Sequence, residues 1–290
     1  MALIHIVKKE FEDSIRSKNL WILTIIFVGL IAGGSLVMYF LPENSGFVGE
    51  NLTSDNAIAA LQGISSILVP LIGLMLGYNS ISGEIDSGSY KTLFSLPNSR
   101  FDILFGKLLG RSFVVIIPIL IAFAISSVII FFLYDRFYLN NYIIFIILTI
   151  LLALSFLSIS IGFSAVVKTK NKAIGWAIGT YFLFLFIWDT IAMGVHYVSE
   201  GSIPFLSGNQ TVPAWFAFFQ RVTPNGAYGA LSNSLMDLGN LGQFVDLTSL
   251  IAQETLPFYL TSPVFLALLL IWITTPPIFG YFFFESRDLV

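Results

Sequence analysis

Six long apolar runs set the rhythm of the chain, at about 20–41, 58–81, 112–134, 142–167, 173–198 and 263–284. Each reaches the ~20 residues that a helix needs to cross the hydrocarbon core of a bilayer. None alternates with the two-residue period of a barrel strand. The pattern therefore predicts an all-α, polytopic membrane protein, with residues 1–290 forming one transmembrane unit of six helices. Pro70, Pro118 and the Pro276-Pro277 pair fall inside runs and mark sites where a span can kink.

The polar stretches carry the more specific information. In residues 1–19, Ile4, Val7, Phe11 and Ile15 recur at helical spacing, and Lys8, Lys9, Glu10, Glu12, Asp13, Arg16 and Lys18 fill the other faces. This predicts an amphipathic helix lying in the membrane interface. Residues 82–111 read as two helix-like pieces separated by a break at Pro97. Ser99 is placed to cap the second piece, with Asp102 three residues on completing an acidic capping box. That piece puts Phe101, Leu104, Phe105, Leu108 and Leu109 on one stripe, and Asp102, Lys107 and Arg111 near its polar side. A tight turn is expected around 135–141. The long segment 199–262 is mostly polar or weakly apolar, with helix-like pieces flanking Thr223-Pro224-Asn225-Gly226.

Charge orients the spans. Of the fourteen Lys and Arg residues, four lie in 1–19, four in 82–111, three in 168–172 and one in the tail. Only Arg136 and Arg221 fall on the other side of a six-span arrangement. The excess of basic residues in cytoplasmic loops that sets membrane topology then places both termini and 82–111 in the cytoplasm, and 199–262 outside. With 56% hydrophobic and only 11% charged residues, the composition excludes a soluble globule, which carries about 25% charge. The first run begins near Leu20, is too long for a signal-peptide core and has no clear small-x-small cleavage site behind it.

Catalytic chemistry finds no foothold. Cysteine is absent, and the two histidines, His5 and His196, are predicted on opposite faces of the membrane. No His-Glu-x-x-His or Gly-x-Ser-x-Gly motif occurs. Gly106-Lys107-Leu108 lacks both the leading glycine and the hydroxyl of a phosphate-binding loop, so any ATP that drives this protein binds another polypeptide. No metal, no cofactor and no nucleic-acid partner is expected.

Residues 82–111 also carry a resemblance. Glu84-x-x-x-Gly88, then Leu93-Phe94-Ser95-Leu96-Pro97-x-Ser99-Arg100, then Gly106-Lys107-Leu108, are similar to the cytoplasmic loop of type-2 permease subunits of ATP-binding-cassette (ABC) transporters. The resemblance implies that this loop contains a coupling helix seated in a groove of a separate ATPase, which binds ATP and magnesium. It makes Glu84, Gly88, Leu93, Ser95, Pro97, Ser99 and Arg100 the ATPase-docking residues. It further implies an N-terminal elbow helix that touches the ATPase, a homodimer, export as the direction, and short re-entrant or interfacial helices near the Thr223-Pro224-Asn225 element. For Lys107 and Arg111, near the start of the third span, anionic lipid headgroups are the expected contact.

Other features leave alternatives open. Asp189 lies some sixteen residues into the fifth span, roughly 24 Å from its inner end. An intramembrane carboxylate is costly and often functional; facing a wet outer vestibule or capping a neighbouring helix would also account for it. His196, seven residues on, would share that vestibule. Gly29/Gly33, Gly73/Gly77 and Gly175/Gly179 allow close helix approach within one bundle or between two copies. Asn51-Leu-Thr53 and Asn209-Gln-Thr211 match the glycosylation pattern on the predicted outer side. The enlarged 199–262 segment leaves room for a second function, a mechanical transducer that drives an extracytoplasmic partner without passing a substrate. A membrane-embedded enzyme is a third reading, without a catalytic constellation to carry it.

Overall fold

The computed structural model describes residues 2–41, 52–88, 99–204, 211–236, 238, 250–251 and 256–286. Leu93, Ser95 and Pro97 of the expected docking loop lie outside the described residues, as do Asn51 and Asn209. The helices in chain order are α1 (Ala2–Ile15), α2 (Lys18–Phe40), α3 (Ser54–Gly77), α4 (Ser82–Ser87), α5 (Arg100–Leu133) and α6 (Leu139–Val166). They are followed by α7 (Lys170–Phe182), α8 (Trp188–Glu200), α9 (Ala214–Gln220), α10 (Pro224–Met236) and α11 (Ser262–Glu285). A π-helical stretch, Leu183–Ile187, joins α7 to α8 into one long rod. Six of these rods are long and apolar enough to cross a membrane, and no strand occurs among the described residues.

The fourth span, α6, is the axis of the fold, and more than half of its apolar window is buried. Lipid tails are as apolar as leucine, so spans associate through close packing and hydrogen bonds rather than through hydrophobic burial. The C-terminal half of α6 supplies both, with Ala153, Ser155, Ser158, Ser160, Gly162, Ser164 and Ala165 all buried. α3 lies against one side of this seam. A Cβ on Gly73 would stand 2.8 Å from the Ala153 carbonyl oxygen, and one on Gly77 2.6 Å from Ser160 Cβ. α11 lies against the other side, where a Cβ on Gly162 would stand 2.5 Å from the Pro276 oxygen and one on Gly280 2.8 Å from the Gly162 oxygen. Gly73 and Gly77 thus pack within the bundle, whereas Gly29, Gly33, Gly175 and Gly179 have nothing within 4 Å of an added Cβ.

Several polar groups inside the bundle are matched by neighbouring helices, as a medium without water favours. Ser160 Oγ donates to Leu74 O at 2.7 Å, and Ser164 Oγ accepts from the backbone N–H groups of Ile81 and Ser82, each at 3.0 Å. The two N–H groups belong to the turn between α3 and α4, so α6 fixes where α4 starts. At the opposite end, the loop between α5 and α6 is tied to the start of α3. Asp135 N–H donates to Leu52 O and Ser54 N–H to Arg136 O, both at 2.9 Å, and Thr53 and Asn56 form a capping box.

One feature differs from the pattern read along the chain, and a second could not be read from it. The second piece of the 82–111 stretch is continuous with the third span: α5 runs unbroken for 34 residues, about 50 Å at ~1.5 Å per residue. A bilayer core of about 30 Å leaves roughly 20 Å of this rod outside the hydrocarbon. Neither Gly106, Gly110 nor Pro118 interrupts it. The fifth span, by contrast, is peripheral, with Trp176, Phe182, Phe186 and Val198 among its exposed side chains.

Valine at Gly162 or leucine at Gly280 would drive side-chain atoms into backbone that cannot yield. Each substitution is expected to destabilise the detergent-solubilised protein by about 1–3 kcal/mol or more, seen as a lower midpoint of thermal unfolding. Gly175→Ala, in open space, should leave that midpoint unchanged or slightly raised.

Candidate functional site

The end of the bundle that holds α4 and the start of α5 is rich in basic residues and is built around one buried ammonium. Ser99 caps α5 as expected: its Oγ accepts from Asp102 N–H at 3.0 Å and donates to Asp102 Oδ2 at 2.6 Å. This fixes the phase of the helix, and two turns on it points Lys107 away from solvent, to 1% exposure. Lys107 Nζ donates to Glu10 Oε1 at 2.5 Å and to Glu84 Oε1 at 2.7 Å. Arg111, one turn further, donates from Nε to Glu10 Oε2 at 3.1 Å and from its guanidinium to the Leu76 carbonyl at the end of α3. Four side chains therefore connect α1, α3, α4 and α5. This overturns the expectation that lipid headgroups meet Lys107 and Arg111. Their carboxylate partners come from distant parts of the chain, and α1 covers the face on which they lie.

The approach of α1 depends on a glycine pair that sequence reasoning passed over. A Cβ on Gly106 would stand 2.8 Å from Ile6 Cγ2, and one on Gly110 2.7 Å from Glu10 Cβ. Gly106-x-x-x-Gly110 has the small-x-x-x-small spacing; its position in a polar stretch hid it. Ile6 is buried there, whereas Ile4 is 70% exposed.

The docking residues of the resemblance fall into place unequally. Glu84 sits in the short α4, and Gly88 ends that helix in the left-handed conformation, φ +74°, which glycine adopts at little cost. Arg100 donates to Glu285 O at 2.7 Å and to Phe284 O, and its guanidinium lies 5.6 Å from the Phe284 ring centre. It caps the C-terminus of α11, where a cation meets the negative end of the helix dipole. Glu84 and Arg100 thus hold the bundle together at this end, whatever they offer to a partner.

Burial pushes the Glu10 carboxyl up, but the Lys107 and Arg111 charges and their hydrogen bonds outweigh it and hold Glu10 below the ordinary carboxylate value of 4.5. A depressed native value means that the ionised form stabilises the fold. That contribution is full above the ordinary carboxylate range and is lost as pH falls through the native value.

The opposite half of the bundle holds the other residues singled out in the sequence. Asp189, on the first turn of α8, lines a half-open cleft with Ser66, Trp188, Arg221, Thr223 and Asn225. His196 does not line this cleft. It is buried against Trp215 and Phe216, and its Nδ1 donates to Ser202 O at 2.9 Å. Two indoles anchor the α9–α10 turn beside the cleft: Trp188 Nε1 donates to Phe219 O at 3.0 Å and Trp272 Nε1 to Val222 O at 2.8 Å. No cluster of three or more metal-ligating side chains occurs among the described residues.

Lys107→Ala would leave two carboxylates facing a buried void and should cost about 3–5 kcal/mol, the penalty for breaking a buried ion pair from one side. The loss is read in chemical or thermal unfolding in detergent. Stability of the native protein should also fall as pH drops below 4.5, and Glu10→Gln should flatten that acid limb while lowering stability at neutral pH.

Comparison with known proteins agrees with this architecture. Residues 4–289 match the model of the ABC-2 family transporter protein. The chain is 27% identical over 287 residues, 98% of both sequences, to the probable ABC transporter permease protein NosY of Stutzerimonas stutzeri. It is also 27% identical over 249 residues, 84% of this chain and 86% of the relative, to the protein of that name from Pseudomonas aeruginosa. Matched along nearly its whole length and built of six apolar rods, the chain belongs to the ABC-2 transporter family.

Proposed function

We propose that this membrane permease subunit works as an exporter, in which two copies pair and each receives one ABC ATPase on the 82–111 loop. ATP and magnesium are bound by the ATPase, and both termini of the permease lie on the ATPase side of the membrane. The observation that supports this most directly is the Lys107 node at the projecting end of α5. A push on α4 or on the start of α5 meets a unit already locked to α1 and α3, and α5 continues as one rod across the bilayer. Packed elements move as rigid bodies rather than deform continuously, so a small displacement at this end becomes a tilt of the spans. The bias of basic residues supports the orientation. Membership in a family of permeases and the absence of a phosphate-binding loop support a separate ATPase.

Glu84 and Arg100 are poor probes of docking, because their substitution disturbs the bundle itself. Leu93 and Ser95 are the docking residues to probe instead, and the lack of cysteine makes every introduced thiol unique. The tagged chain, co-expressed with a candidate ABC ATPase from its own genome, is expected to retain that ATPase on purification in mild detergent. Leu93→Glu should weaken retention at least tenfold, and Ser95→Cys should cross-link to the ATPase. Purification of the folded chain alone, with no cross-link from Ser95→Cys, would refute docking through this loop.

A further inference from the structure

The cleft beside Asp189 has a volume of about 320 Å³, at the lower end of the roughly 300–1,000 Å³ typical of small-molecule sites. Its depth follows from the register of the helices. Asn225 Nδ2 donates to the Ser66 carbonyl at 3.2 Å, and Ser66 is at the middle of α3. α10 therefore begins half-way along a membrane span instead of at the surface. Thr223, Asn225 and Gly226 at its first turn face the cleft, and Thr223 Oγ1 accepts the Gly226 N–H at 3.1 Å. The start of a discontinuous helix at mid-membrane carries positive partial charge and is a recurrent place for an anionic group.

Three further observations converge on the same place. The fifth span turns π-helical over Leu183–Ile187, and Phe184 and Leu185 of that stretch line the cleft. Such stretches re-aim the side chains that follow and recur at functional sites; here Trp188 and Asp189 follow. Second, an acid and a base, Asp189 and Arg221, both line the cleft. Third, Asn225 lines the cleft and its carboxamide oxygen is buried without a hydrogen-bond partner. Polar atoms left open in this way are completed by water or a polar ligand.

The charges select the class of ligand. A lone anion would meet Asp189, and a lone cation would meet Arg221. A molecule that carries both meets an opposite charge at each residue and adds no net charge to a mid-membrane site. We propose that the cleft binds a small zwitterion, its phosphate or carboxylate against Arg221 and the start of α10 and its ammonium against Asp189. The headgroup of a zwitterionic phospholipid and a soluble zwitterion share this chemistry. The site goes beyond the permease reading and does not depend on ATPase docking, because its occupancy is measured on the permease alone.

The test uses the purified full-length chain in detergent and reads the shift of its thermal unfolding midpoint on ligand addition. Glycerophosphoethanolamine and phosphatidylethanolamine are the zwitterionic probes; ethanolamine, glycerol 3-phosphate and phosphatidylglycerol carry charge of a single sign. A zwitterionic probe should raise the midpoint, and the single-sign probes should not. Asp189→Asn and Arg221→Gln should each weaken the apparent affinity at least tenfold. Asn225→Ala, which keeps both charges, should weaken it several-fold and serves if either charge variant fails to fold. A response to the phospholipid alone identifies a bilayer ligand, and an equal response to the free headgroup identifies a soluble one. No shift with either zwitterion, an equal shift with single-sign probes, or an undiminished shift in the variants would overturn the proposal.

Discussion

Helices in lipid gain nothing from hydrophobic contact with one another, and the organisation of this bundle follows from that constraint. What holds α3 and α11 to α6 is the chance to bring backbones together and to exchange hydrogen bonds. Both need small residues at facing positions. Gly73, Gly77, Gly162 and Gly280 let the backbones meet, and Ser160 and Ser164 satisfy carbonyl and amide groups across the seam. Because Ser164 holds the α3–α4 turn, this seam also determines where the short α4 is presented at the basic end of the molecule.

The same logic, applied to charge, explains the Lys107 node. An ammonium at 1% exposure is tolerable only when carboxylates take its charge. Glu10 and Glu84 do so from two different helices, and Arg111 balances the excess negative charge while bonding the end of α3. The ion pairs add little to net stability compared with a well-packed apolar cluster. They dictate one arrangement of four helices, because any other would strand a charge. Arg100 adds a fifth helix by capping α11. The outcome is a mechanically continuous end piece on a rod about 50 Å long.

The opposite half of the bundle is organised differently. There the fifth span stands at the periphery, α9 and α10 fold back into the bundle, and the indoles of Trp188 and Trp272 tie the turn between them to the flanking spans. Gln62, Ser65 and Asn225 hold buried polar atoms without a hydrogen-bond partner in this half. One end of the molecule is locked by charge and close packing, while the middle retains a half-open cleft with an acid and a base in its wall.

Much of this was legible in the sequence because membrane insertion is governed by composition over about twenty residues, a property that needs no knowledge of contacts. Six spans, the membrane class and the Ser99 cap with Asp102 are local properties, and the chain alone determined them. The 82–111 stretch also revealed its family, because its residue order is specific. What the sequence could not reveal are the events that depend on which helices meet. Lys107 read as a residue of a polar face, since nothing local shows that Glu10, almost a hundred residues away, will cover it. The fusion of the loop helix with the third span was hidden because Gly106 and Gly110 look like interruptions until α1 is seen lying across them. Asp189 and His196 share a helix, yet only Asp189 reaches the cleft, because the elements that fold back against α8 come from the segment after it. Local chemistry chose the elements; the tertiary structure decided which charges are shared and which polar groups stay open, since both depend on distances that only packing defines.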